Sequence, residues 1–81
     1  MLPPPTHRSV TVVLASGEQV LGQLPPIEVS VPWLQETGPV VEGVSSEFGI
    51  VIHIARILAA ERVKNQVNAT YLADYQSGAL P

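Results

Sequence analysis

Between residues 9 and 15 the chain reads SVTVVLA, with Val10, Val12 and Leu14 on one face and Thr11 and Val13 on the other. A period of two in a β-branched run predicts a strand. The triplet Ser16-Gly17-Glu18 predicts a turn, after which 19–24 (QVLGQL) resumes an extended pattern. A connection this short forces antiparallel pairing, so the first two strands should form a hairpin, with Gly22 marking a bulge. Pro25 and Pro26 cannot continue a central strand, and the alternation over 27–30 permits edge pairing only.

Helical spacing follows. Ser30 is a reasonable N-cap with Pro32 in the first turn, and Glu36 lies close enough to favour the helix dipole. Trp33, Leu34, Thr37, Val40, Val41, Val44 and Phe48 then recur every three or four residues, drawing one apolar stripe that should face a sheet. Gly38-Pro39 interrupts it, because a proline there removes the hydrogen bond to the Gln35 carbonyl, so a kink or a restart is expected. Gly49, directly after Phe48, fits a left-handed C-cap.

The run 50–58 (IVIHIARIL) is apolar on both faces except at His53 and Arg56, the composition of a central strand. Residues 59–66 (AAERVKNQ) read as a polar connection or wide turn. In 67–75, Val67, Ala69, Tyr71, Ala73 and Tyr75 alternate against Asn68, Thr70, Leu72 and Asp74, a strand with two aromatics on one face. The expectation is an α+β fold, a small two-layer domain with an antiparallel sheet of about four strands and one helix on one face, in the order β-β-α-β-β. Residues 1–8 form a flexible Pro-rich arm, 9–75 the domain and 76–81 a tail. One helix covers one face only. The other would present some of Tyr71, Tyr75, Ile57 and Val51, depending on register.

Composition narrows the function. With 81 residues the chain makes one small domain, and its 46% apolar content is ordinary for a folded protein. Charged residues are only 14%, against a usual share of about 25%, which points to a surface covered in use. The net charge is −3, and Arg8, Arg56, Arg62 and Lys64 are scattered, which argues against nucleic-acid binding. Zero cysteines remove disulfides, thiolate nucleophiles and Cys-ligated metals, and are compatible with a cytoplasmic location. No apolar run is long enough to span a bilayer, so no membrane role is expected.

Catalytic chemistry finds little support. His53 sits in mid-strand without a second histidine or a carboxylate at ligand spacing, so no metal and no cofactor is expected there. Gly17, Gly22, Gly38, Gly43 and Gly49 are isolated and build no phosphate loop. Arg56, Arg62 and Lys64 are read as a solvated group in preference to an anion clamp. Glu36, Glu42 and Glu47 lie in the helical stretch. There, 42–50 (EGVSSEFGI) resembles the end of the Nudix signature. Val44, Glu47, Gly49 and Ile50 match, whereas Glu42, Gly43 and Ser46 replace an Arg and two Glu residues, and the upstream Gly and Glu fall on Glu28 and Leu34. That resemblance implies a remnant helix and strand without the catalytic equipment, since a magnesium site needs several carboxylate oxygens.

A wider resemblance covers about 65 of the 81 residues. LGQLPPIEVSVPW, Phe48-Gly49-Ile50, Arg56-Ile57-Leu58 and Thr70-Tyr71-Leu72-Ala73 resemble the N-terminal segment preceding the kinase-like domain in some actinobacterial aminoglycoside phosphotransferase family proteins. The resemblance implies a non-catalytic accessory domain and carries over no catalytic residue. Both lines of reasoning lead to a binding or assembly module acting through an exposed sheet face or an edge strand, as a homodimer or docked on a partner protein. Trp33, Ile57, Tyr71 and Tyr75 are the candidate interface or pocket residues, with Arg56 as a polar anchor. The alternatives are a degenerate Nudix-like hydrolase of a phosphorylated small molecule, using Glu36, Glu42 and Glu47, and a small apolar-ligand binder.

Overall fold

The alternating valines of the first strand and the alternating alanines and tyrosines of the last meet side by side, and that pairing organises the molecule. A computed structural model describes residues 8–30, 36–63 and 66–78. The elements are β1 (Arg8–Ser16), β2 (Gln19–Gln23), β3 (Ile27–Val29), α1 (Gly38–Phe48), β4 (Val51–Val63) and β5 (Gln66–Ser77). They build an α+β fold with one mixed sheet of five strands in the order β2-β1-β5-β4, with β3 also pairing with β1.

β1 and β5 are parallel and in register from Arg8 opposite Val67 to Ala15 opposite Asp74. Val10, Val12 and Leu14 therefore lie beside Ala69, Tyr71 and Ala73, and all six are buried on the face that carries the core. The far flank of β1 is shared. β3 pairs antiparallel with its first three residues and β2 with its last four, while the Leu24 N–H donates to the Val12 carbonyl at 2.9 Å between them. Backbone groups along β1 are thus paired by β5 on one side and on the other by two short segments that could not form a sheet alone.

α1 packs on β3 and β4 and drives Val40 and Val44, both fully buried, into the core. Little inside the helix itself favours it. Thr37 makes no side-chain cap bond, the first turn holds no acid and the last turn no base. Eleven residues are too few to be stable in isolation, so packing holds this helix. Gly49 closes it in the left-handed conformation, φ 68°, with its N–H donating to the Ser45 carbonyl at 2.9 Å. Gly78 then packs against this exit. Its φ is 114°, and a Cβ there would collide with the backbone of Gly49 and Ile50. The Tyr75 hydroxyl donates to the Gly78 carbonyl, so ordered chain extends into what the sequence reads as tail.

Several expectations hold. The first hairpin forms with Ser16 opposite Gln19, and a bulge leaves Leu21 unpaired beside Gly22. α1 begins at Gly38-Pro39, with the proline in its first turn where the missing N–H costs nothing, so Glu36 and Thr37 of the expected helix precede it and are not helical. Ser30 is a bend after β3, and the part of the expected helix over 31–35 lies outside the described residues.

Four expectations are corrected. The sheet is mixed, not antiparallel, because β1 and β5 come together in the same direction across an intervening helix. It has five strands, since 27–29 pairs with β1. The stretch 59–63 continues β4, with Val63 opposite Gln66, so the connection shrinks to the two residues between them. And β4, apolar on both faces, is an edge strand and not the central one. Tyr71 and Tyr75 accordingly face the helix side, not the open face. Tyr71 is fully buried and Tyr75 packs against the core.

The edge position of β4 has a measurable consequence. Leu14→Ala should cost about 2–5 kcal/mol, whereas Leu58→Ala should stay within about 0.5 kcal/mol, in urea unfolding at low protein concentration where association does not contribute. Comparable losses at both positions would return β4 to the interior.

Candidate functional site

Arg8 is the one buried charged side chain among the described residues, with no solvent exposure. It shares the face of Val10, Val12 and Leu14, so its guanidinium runs under the helix side of the sheet. One terminal nitrogen donates to the Tyr71 hydroxyl and the other to the Glu36 carbonyl, while Nε has no partner. The guanidinium carbon also lies 5.7 Å from the Tyr71 ring centroid, within cation–π range. A buried cation is costly unless its donors are used, and here two contacts join β1, β5 and the approach to α1. The sequence signal was available: the period of two that places Val10 and Val12 inside extends back to Arg8.

The accessible chemistry lies elsewhere, along β4. From Ala55 onward every residue of β4 is exposed, because α1 covers only the part that holds Ile52 and Ile54. Four of the six large apolar side chains exposed among the described residues belong to it: Val51 at 45%, Ile57 at 41%, Leu58 at 44% and Val63 at 48%. The other two, Val20 and Leu21, lie on β2 at the opposite edge. Among the described residues no strand pairs with the outer edge of β4, so a row of backbone donors and acceptors about 40 Å long faces outward.

The edge is not straight. Register steps leave Ala55 and Leu58 without partners of their own on β5. Arg56 lies opposite Leu72 and Glu61 opposite Asn68, which puts both charges on the open face. Ile57 lies opposite Tyr71 and Ala60 opposite Ala69, which puts those two on the helix side. Arg56 and Ile57 thus occupy an exposed edge together. Trp33 lies outside the described residues, and among the described candidates Tyr71 and Tyr75 pack with the core, away from the exposed edge that holds Arg56 and Ile57.

Toward the start of β1 the open face is polar, and farther along it carries half-buried Val13 beside Leu72. Ser9, Thr11, Asn68 and Thr70 line a shallow depression of about 510 Å³ with Ala59 and Glu61 at its β4 margin. A second hollow of about 490 Å³ lies between α1 and β3, lined by Pro25, Pro26, Glu28, Ser46, Glu47 and Phe48. His53 is exposed and stands opposite Asp74 in the β4–β5 register. Glu36, Glu42 and Glu47 are exposed, and no three acidic or histidine side chains among the described residues converge on a point that could hold a metal. No helix among the described residues is long and apolar enough to cross a membrane.

Burial raises the Tyr71 phenol above its ordinary value of 10.0, and the Arg8 charge opposes the shift without cancelling it. The folded state therefore holds this proton more tightly than the unfolded chain. The resulting stability is fully present below pH 10 and is lost as pH rises through the folded value. The unfolding midpoint should fall above pH 10 in the wild type and fall less in Tyr71→Phe, in urea titrations across the alkaline range. Equal alkaline slopes in the two proteins would contradict a buried neutral phenol. In comparisons with known proteins, no family model, no curated protein and no solved structure matches this chain.

Proposed function

We propose that this protein is a non-catalytic assembly module that joins another polypeptide by strand addition at the outer edge of β4. The observation that carries the reading is a mismatch between composition and position. Nine of the 13 β4 residues are apolar and they fall on both faces, as in strands buried inside a sheet, yet β4 stands at the sheet margin. An added strand would turn this margin into an interior, satisfying the outward backbone groups and covering Ile57, Leu58 and Val63. The low charge of the chain fits the same reading.

The accessory-domain resemblance is of the same kind, since it also implies a part that binds without doing chemistry. The open face combines Ser9, Thr11, Asn68 and Thr70 with the half-buried pair Val13 and Leu72, so it offers less exposed apolar surface than Ile57, Leu58 and Val63 on β4.

Hydrogen exchange tests the reading. In the associated protein, amides over 55–63 should be protected relative to the dilute protein, while the open-face positions of β1 and β5 keep their exchange rates. Protection that appears on α1 or on β2, with 55–63 still exchanging freely, would overturn it.

A further inference from the structure

Resting on the strand-addition reading of β4, we infer that the added strand is β4 of a second copy, paired antiparallel about a twofold axis at the Leu58 bulge. The order of charges along the edge points to this pairing. Counting Leu58 and Ala59 as the single position they occupy against Thr70, the edge reads Arg56, Ile57, bulge, Ala60, Glu61. This is a charge palindrome of opposite signs, and its two halves agree in face: Arg56 and Glu61 project to the open side, Ile57 and Ala60 to the helix side.

A twofold perpendicular to a sheet preserves faces and reverses strand direction, so it can superpose only positions of equal facing. Centred on the bulge, it places Arg56 opposite Glu61 of the partner subunit, and by symmetry Glu61 opposite Arg56 of the partner subunit. Ile57 then meets Ala60 of the partner subunit twice, and Leu58 lies beside its own copy at the axis. Every position in the five-place segment acquires a compatible neighbour: opposite charges across the strands, a large apolar residue against a small one, bulge against bulge.

The bulge selects the occupant. A kinked edge is a poor template for a straight foreign strand, which is why natural sheets use bulges to protect their margins. An identical strand running in the opposite direction carries the Leu58 kink at the same place, and the Ala55 bulge falls outside the five paired positions. The two sheets would then continue through β4 as one sheet of ten strands.

Charge reversal tests this directly, because both side chains are exposed and neither belongs to the core. Arg56→Glu alone and Glu61→Arg alone each set like charges opposite one another twice, and each should weaken dimerisation by at least about tenfold. An equimolar mixture of the two variants should form a heterodimer as tight as the wild-type dimer, and the double variant R56E/E61R should form a homodimer again, both read by native mass spectrometry. A variant that had merely misfolded could not be rescued by the other. A mixture that stays unpaired while the wild type dimerises would overturn this register and leave strand addition at β4 standing. A wild type that is monomeric throughout would overturn the second copy as occupant.

Discussion

The guanidinium of Arg8 is the contact on which the arrangement of the layers depends. It lies at the first residue of β1, fully buried, and its two terminal nitrogens reach the Tyr71 hydroxyl on β5 and the Glu36 carbonyl just before α1. Three parts of the chain far apart in sequence are thereby held in one geometry. This matters because the helix has little of its own to stand on, with no side-chain cap, no charge favouring its dipole and only 11 residues. Apolar burial of Val40 and Val44 supplies attraction without direction, whereas a planar donor fork fixes where the segment before the helix must pass.

Once β1 and β5 occupy the middle of the sheet, the rest follows by exclusion. One flank of β1 is filled by β2 and β3, and the outer flank of β5 can be filled only by its hairpin partner. β4 is therefore driven to the margin, although its residues resemble those of a strand buried on both sides. A single 11-residue helix shelters only Ile52 and Ile54, leaving the remainder of a 13-residue strand in solvent. The mismatch is geometric in origin, and completing the sheet from outside the chain removes it. The bulges at Ala55 and Leu58 restrict which strand can do so.

What could be read from the sequence was local. The first hairpin, the break at Gly38-Pro39, the Gly49 cap and the alternation in β5 all depend on residues within a few positions of one another, where turn chemistry and period decide the outcome. The parallel pairing of β1 with β5 was not legible, because it joins residues such as Val12 and Tyr71 across most of the chain. Without it the position of β4 could not be deduced, since an apolar run reads alike in the middle of a sheet and at an edge awaiting a partner. The same gap left open which of Tyr71, Tyr75, Ile57 and Val51 would lie on the open face, and both tyrosines turn out to lie on the helix side. Of the candidate residues, Arg56 and Ile57 do lie on the exposed edge, whereas Tyr71 belongs to the Arg8 cluster and Trp33 is outside the described residues. Arg8 itself was concealed by its charge, which groups it with the proline-rich lead-in although its place in the alternation is that of a core residue.

The role of the β4 margin rests on whether it is an interface between copies of this chain. The most direct measurement is the solution mass by light scattering behind size exclusion, across a tenfold range of protein concentration. A mass near twice 8.6 kDa, falling toward 8.6 kDa only on dilution, is the predicted result. A mass of 8.6 kDa at every concentration would contradict it.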